Sequence, residues 1–244
     1  MLTIADRMKE FYENRSKTYL TRRVPVIIRI DGCHFHSFTK HLNKPFDDVF
    51  IKAMQLTTLD LCKHIQGCKF GYVESDEISL LLTDYDTLQT DAWFNYSVQK
   101  LCSVAASMAT MYFNKNFTSC ADELLTSTSN LDYLQVLNDC INLGAYFDAR
   151  CFNIPKEEVI NYFIWRQNDA ARNSIQCLAQ SLFSHKQIQG LNNSQLQEKL
   201  FQEKGINWND LPTTHKRGSA VLKNKLNDNI PIFSQNKQYF EGAF

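Results

Sequence analysis

The sequence predicts an α+β fold in which helices pack on an antiparallel sheet. Three features carry this expectation: a β-branched run at residues 24–30, two short apolar runs flanking an acidic tetrapeptide at 74–77, and two long stretches of helical periodicity. Strand, helix, hairpin and helix in that order form the first half of a split βαβ sandwich.

Residues 3–19 carry Ile4, Met8, Phe11 and Tyr12 near helical spacing in a polar background, which predicts a partly exposed edge helix. Val24 to Ile30 is apolar almost throughout, as in a strand covered on both faces, and it ends in the turn-forming pair Asp31-Gly32. From Asp47 to about His64 the apolar residues, among them Val49, Phe50, Ala53, Met54, Leu61 and Cys62, recur on one helical face, with Asp47 as the cap. Lys69–Val73 and Ile78–Thr83 then flank Glu74-Ser75-Asp76-Glu77, a hairpin with an acidic tip. A second long helix is expected from about Phe94 to Phe113.

After Asn114 the composition shifts to Asn, Thr, Ser and Asp, so residues 114–142 read as a loop excursion with a short helix around Leu131 to Leu137. Tyr146 to Phe152 reads as another strand. Pro155, with Glu157 and Glu158 in the following turn, opens a helix reaching about Leu182. Beyond Ser184 come a helical piece from Ser194 to Lys204, a basic stretch His215-Lys216-Arg217-Gly218 and a tail of weak periodicity. The expected division is a catalytic domain at 1–142 and a mostly helical C-terminal region at 143–244 that completes it.

With 244 residues the chain can bury a large core without staples. Lys plus Arg equals Asp plus Glu at 26 each, so no whole-molecule field draws it to nucleic acid, and an RNA partner must be held by a local patch. The eight cysteines are dispersed with no CxxC pair, and are read as reduced, mostly buried residues of a cytoplasmic protein. No run of about 18 apolar residues is available to span a membrane. P-loop, nucleophile-elbow, HExxH and GxGxxG motifs are all absent, which removes the common kinase-like, hydrolase, zinc-protease and dinucleotide-binding readings.

The chemistry-bearing residues are acids at strand ends. A carboxylate at the end of a buried strand is costly unless compensated, and a metal ion is one compensator for Asp31. A sheet placing the hairpin beside the first strand brings Asp76 towards Asp31, where two Mg²⁺ ions about 4 Å apart activate an attacking hydroxyl and stabilise a leaving pyrophosphate. Spacing alone leaves ordinary turn chemistry open. Gly32 permits close backbone approach to phosphates, which Cys33, His34, Phe35 and His36 then wrap through their amides. Lys44 offers a positive charge.

Six ordered stretches resemble the tRNA-His guanylyltransferase family: RIDGCHFHSF at 29–38, NKPFDD at 43–48, GYVESDEISLLL at 71–82, YFDARCFNIP at 146–155, WRQND at 165–169 and HKRGSAVL at 215–222. The resemblance implies a palm domain like those of nucleotide cyclases and polymerases, with two Mg²⁺ held by Asp31, the backbone of Gly32 and Asp76. It implies Glu77 and Ser75 as site residues beside the second carboxylate, Lys44 and His36 near the nucleotide, and Arg150, Arg166, Asn173, Lys216 and Arg217 as tRNA or triphosphate contacts. It further implies ATP, GTP and other nucleoside triphosphates as substrates, tRNA as partner and a homotetramer.

One departure bears on substrate choice. Family members that add guanosine to tRNA-His carry a His-Ile-Asn-Asn stretch soon after WRQ, where this chain has Ala171-Arg172-Asn173-Ser174. That change resembles the guanylyltransferase-like branch, which repairs 5′-truncated tRNA under template direction. Non-templated guanosine addition, a purine nucleotide cyclase and a non-catalytic RNA-binding scaffold are the alternatives.

Overall fold

The computed structural model describes residues 2–125 and 128–243. Six strands, β1 (Val26–Gly32), β2 (Cys68–Glu74), β3 (Glu77–Leu82), β4 (Phe147–Asn153), β5 (Ser219–Leu222) and β6 (Lys225–Asn227), form one antiparallel sheet in the order β4-β1-β3-β2-β5-β6. The helices are α1 (Ile4–Phe11), α2 (Phe35–Phe38), α3 (Asp48–His64), α4 (Val98–Leu125), α5 (Leu131–Leu143), α6 (Val159–Leu182), α7 (His185–Ile188), α8 (Asn193–Lys204) and α9 (Thr213–Arg217). The α+β class and the antiparallel sheet agree with the sequence expectation. Strands β4, β5 and β6 come from beyond residue 143, so the C-terminal region supplies half of the sheet's strands.

The sheet is covered on both faces because β1 is apolar on both. Val26, Ile28 and Ile30 pack with α3, α4 and α5. Ile27 turns the other way, into a core of Phe70, Tyr72, Leu81, Phe163 of α6, and Phe233 and Phe240 of the tail. The weakly periodic tail is thus sheet cover. Each such buried aromatic contributes about 1.5–3 kcal/mol. A separate cluster joins the second half of α6 to α8 through Ile175, Leu178, Leu196 and Leu200.

Under the loop that follows β1, Phe35, Phe38, Phe50, Phe113, Phe117 and Phe147 interlock at ring-centroid distances of 4.9 to 6.0 Å. This aromatic floor buries the underside of the loop, with Phe35 and Phe38 in the core. Asp47 caps α3 as expected, its Oδ1 accepting from the Phe50 amide at 2.9 Å.

Two expectations are corrected. Residues 114–142 are not mainly a loop: α4 continues to Leu125 and α5 fills most of the rest. Asn114 and Thr118 there bond to helix carbonyls, Thr118 Oγ1 donating to Asn114 O at 2.9 Å, while Phe113, Phe117, Cys120 and Ala121 keep an apolar face. The N-terminal helix ends at Phe11 rather than near Tyr19, and none of its residues is buried. Of the eight cysteines, all free, Cys62, Cys120 and Cys140 are buried and Cys177 is exposed. Among the described residues no helix is long and apolar enough to cross a membrane.

Candidate active site

Strand pairing brings the acids together. Asp31 lies opposite Glu77 on β3 and opposite Asp148 on β4, and Glu74 lies opposite Glu77 across the β2–β3 turn. The turn itself is Ser75-Asp76, with Ser75 at φ 48, a left-handed conformation that costs a non-glycine residue about 1 kcal/mol or more. The Gly32 amide donates to the Asp76 carbonyl at 3.1 Å, which ties the end of β1 to the turn. A side chain at position 32 would place its Cβ 2.3 Å from the Phe35 ring, so the close approach requires glycine.

Charge is unevenly balanced across this cluster. Asp31 Oδ2 forms an ion pair with Arg150 Nη2 at 2.8 Å and accepts a hydrogen bond from Arg29 Nε at 3.2 Å. Glu77 accepts two bonds of 2.7 Å from Arg166 Nε and Nη2, and Arg166 Nη2 reaches Glu74 Oε1 at 3.1 Å. The Asp76 carboxylate is held by its own backbone amide and by the Ser75 hydroxyl at 3.1 Å, and among the described residues no cationic side chain pairs with it. Burial raises its carboxyl above the ordinary range, and the charge of Asp31 raises it further. Burial likewise raises Glu77, and pushes Glu74 up to about 7 with the help of the Glu77 charge and against the pull of Arg166.

A half-buried carboxylate without a cation, beside a second carboxylate, is what a divalent ion would neutralise. Among the described residues no three His, Cys, Asp or Glu side chains gather to cage a metal. Two carboxylates with neighbouring carbonyls are the hard oxygen donors that a magnesium ion would take there.

Next to the turn opens a cavity of about 210 Å³ bounded by Glu74 and Ser75, by the loop Asn43–Phe46, by Asn173 and Cys177 of α6, and by His215, Lys216 and Arg217 of α9. Gly218, at φ 76, sits so close to β2 that an added Cβ would lie 2.2 Å from Val73 O, and this seats α9 at the cavity rim. Phe46 and His215 stack at 4.6 Å, and Asp47 pins the opposite loop by accepting from the Asn43 amide at 3.0 Å and the Tyr133 hydroxyl at 2.5 Å.

The structure therefore gathers Asp31, Gly32, Ser75, Asp76 and Glu77 at one place, with Lys44, Asn173, Lys216 and Arg217 at the adjoining cavity. Other expected residues sit differently. The Cys33 amide is already bonded to Tyr146 O at 2.9 Å, and the Phe35 ring is buried in the aromatic floor, while His34 and His36 are exposed. Arg150 is exposed at the edge of Asp31. Arg166, expected at a tRNA phosphate, is buried with its donors turned to carboxylates, and Lys216 is buried with its ammonium on Asn209 O, so neither is presented to an RNA surface. Burial and the neighbouring Arg217 lower the Lys216 pKa.

Sequence reasoning passed over Arg29, Glu74, Asp148 and Asp169. The period of two places Arg29 on the same face as Asp31, so that residue was within reach of the pattern. Asp169 required the tertiary structure.

Comparison with known proteins agrees along the whole chain. The family profile described as tRNAHis guanylyltransferase matches residues 5–155. A bacterial tRNA(His) guanylyltransferase-like protein solved in complex with ATP is 44% identical with a TM-score of 0.86, covering 99% of both chains. A second such structure, in complex with GTP, is 40% identical with a TM-score of 0.80 over 98% of both chains. The tRNA(His) guanylyltransferase of Saccharomyces cerevisiae is 29% identical over 89% of this chain and 90% of its own. Antiparallel sheet, paired strand-end acids and these likenesses together place the chain in the tRNAHis guanylyltransferase family, as a nucleotidyltransferase.

Proposed function

We propose that this protein extends the 5′ end of truncated tRNA in the 3′ to 5′ direction, selecting each nucleotide by pairing with the opposite strand. The observation that carries the reading is the junction of Asp31-Gly32 with Ser75-Asp76 beside a cavity lined by Lys44, Lys216 and Arg217. The bacterial relatives were solved with ATP and with GTP, which supports a nucleoside triphosphate as the ligand here.

Asp31, the Gly32 carbonyl and Asp76 would hold two magnesium ions. Bound there, magnesium polarises phosphoryl oxygens and lowers the pKa of an attacking hydroxyl. The chain's own residues do the positioning. Lys44 and Arg217 would meet the triphosphate with positive charge, with Lys216 at the same cavity wall and Ser75 at the turn beside it, and the amides of His34, Phe35 and His36 in the loop after β1 would receive phosphate oxygens. In the first step a 5′-phosphate oxygen of the RNA attacks the α-phosphorus of ATP and pyrophosphate leaves. In the second, the 3′-hydroxyl of the incoming nucleotide attacks the activated 5′-phosphate and AMP leaves. A 5′-triphosphate end bypasses the first step.

Ala171, in place of an imidazole on α6, supports the templated reading: with no such side chain to hold an unpaired nucleotide, pairing must orient its 3′-hydroxyl. Asn173 and Arg150 are the proposed RNA contacts. Assembly as a homotetramer belongs to the same reading, supported by α1, whose Ile4 is 76% and Tyr12, just beyond it, 67% exposed. The direct experiment incubates the protein with magnesium, a 5′-truncated tRNA and each nucleoside triphosphate separately, then maps the new 5′ end. Extension by one nucleotide species, as far as a complete acceptor stem, supports the proposal. An unchanged 5′ end with all four, or cyclic nucleotide formed without RNA, contradicts it.

A further inference from the structure

Arg166 lies on α6, outside the loop and the turn that carry Asp31 and Asp76. Its guanidinium is nevertheless committed to the turn. Nε and Nη2 grip Glu77 at 2.7 Å each, Nη2 also reaches Glu74 at 3.1 Å, and Nη1 is held by Asp169 Oδ2 at 3.0 Å. The Trp165 ring covers its face at 4.7 Å, and only 6% of the side chain is exposed.

Glu74 and Glu77 are the two residues that flank Ser75-Asp76, and they stand directly opposite each other in register. Like charges in that position, with little water to screen them, push the strands apart. A planar fork that bridges both carboxylates closes the base of the turn, and the residue enclosed by that base is Asp76. A lysine keeps the charge but has one ammonium in place of the fork, so it cannot grip Glu77 with two parallel bonds and hold Glu74 and Asp169 as well.

We infer that Arg166 is a positioning residue for nucleotide addition, fixing Glu77 and, through the closed turn, Asp76 relative to Asp31, and that it makes no contact with RNA. The inference rests on the proposed metal-dependent reading of the site. Arg166 acts before substrate binds, since its partners are all within the protein.

The test compares the full-length wild type with Arg166→Lys and Asp169→Asn. Thermal unfolding checks the fold, manganese binding without substrate is read by electron paramagnetic resonance, and kcat and KM are measured on a 5′-triphosphorylated truncated tRNA. For Arg166→Lys the kcat is expected to fall about 100-fold, the cost of a misplaced reacting group. Its manganese dissociation constant rises about 10-fold, as for loss of an outer-shell partner, while KM for tRNA stays within about 3-fold. Asp169→Asn, which loosens the fork without removing it, shifts the same two quantities less, and it decides the matter if Arg166→Lys does not fold. In a Glu77→Gln background Arg166→Lys adds less than about 3-fold, because the two act as a unit. A raised KM for tRNA with kcat intact, or multiplicative losses in the double variant, overturns the inference. A wild type that neither binds manganese nor extends RNA overturns the reading of the site as well, whereas a normal wild type with a normal Arg166→Lys overturns this inference alone.

Discussion

Gly32 donates its amide hydrogen to the carbonyl of Asp76 at 3.1 Å, and this bond joins the end of β1 to the turn between β2 and β3. It is a direct backbone hydrogen bond between the segments that carry the two acids proposed to hold metal. The bond depends on the backbone lying flat against Phe35, whose ring sits 2.3 Å from where a Cβ would be built. Gly32→Ala is therefore expected to destabilise the protein by about 1–3 kcal/mol through overpacking, and to lower kcat further than that loss explains. Chemical denaturation and steady-state kinetics on the same sample separate the two effects.

Asp31→Ala and Asp76→Asn are each expected to reduce nucleotide addition by more than about 100-fold with tRNA affinity little changed, since loss of even an outer-shell partner costs 10–100-fold. Their stabilities should differ in sign. Asp76 is half-buried without a cationic partner and desolvation raises its carboxyl, so its neutral isostere relieves that cost and does not lower the melting temperature of the metal-free protein. Removing Asp31 leaves Arg150 and Arg29 without their shared acceptor and lowers it. Near-wild-type turnover by either variant at saturating magnesium ends the two-metal assignment.

Glu74 makes the stability of the metal-free protein pH-dependent. Its carboxyl is raised from 4.5 to about 7, chiefly by burial, so the folded state binds this proton more tightly than the unfolded state does. The stabilisation is complete below about pH 4.5 and is lost as pH rises through about 7. Glu74→Gln should remove that slope and be the more stable form at pH 8, by about 1–3 kcal/mol. Urea denaturation from pH 5 to 8 measures the difference, and parallel curves for the two proteins would refute it.

The tRNA affinity should weaken with salt although the formal net charge is zero, because local phosphate contacts release counterions. Arg150, exposed beside Asp31, is expected to contribute: Arg150→Gln should reduce the slope of log affinity against log salt by about 1. Lys216, whose ammonium is buried on Asn209 O, is expected to leave the slope unchanged when replaced. Filter binding at four salt concentrations checks both.

The elements of this fold differ in how plainly the sequence shows them. β1 was readable because a strand buried on both faces is a continuous apolar run, and the hairpin because two such runs flank turn residues. The second half of α4 was not, since Asn114 and Thr118 satisfy themselves on helix carbonyls and hide the apolar face of Phe113, Phe117 and Ala121 behind a loop-like composition. At the site, Asp31 and Asp76 were visible as acids ending apolar strands. Arg166 was visible only as a cation in a recurring stretch, and a cation at that stage is read as a phosphate contact. Its partners Glu74 and Glu77 lie 92 and 89 residues away, so only the folded chain shows that the charge is spent inside.

The central claim is that the opposing strand, and not the protein, chooses the nucleotide. The measurement is made on a tRNA lacking its first 5′ nucleotide, prepared in four versions that differ only in the base opposite the gap, with all four nucleoside triphosphates and magnesium present and the product ends sequenced. A paired incoming nucleotide gains stacking and hydrogen bonds that hold its 3′-hydroxyl at the activated 5′-phosphate, so the added base should follow the template in each version and addition should stop when the acceptor stem is complete. Guanosine added whatever the opposing base, and most efficiently to intact tRNA-His, would contradict the account and show that Ala171 does not mark the distinction.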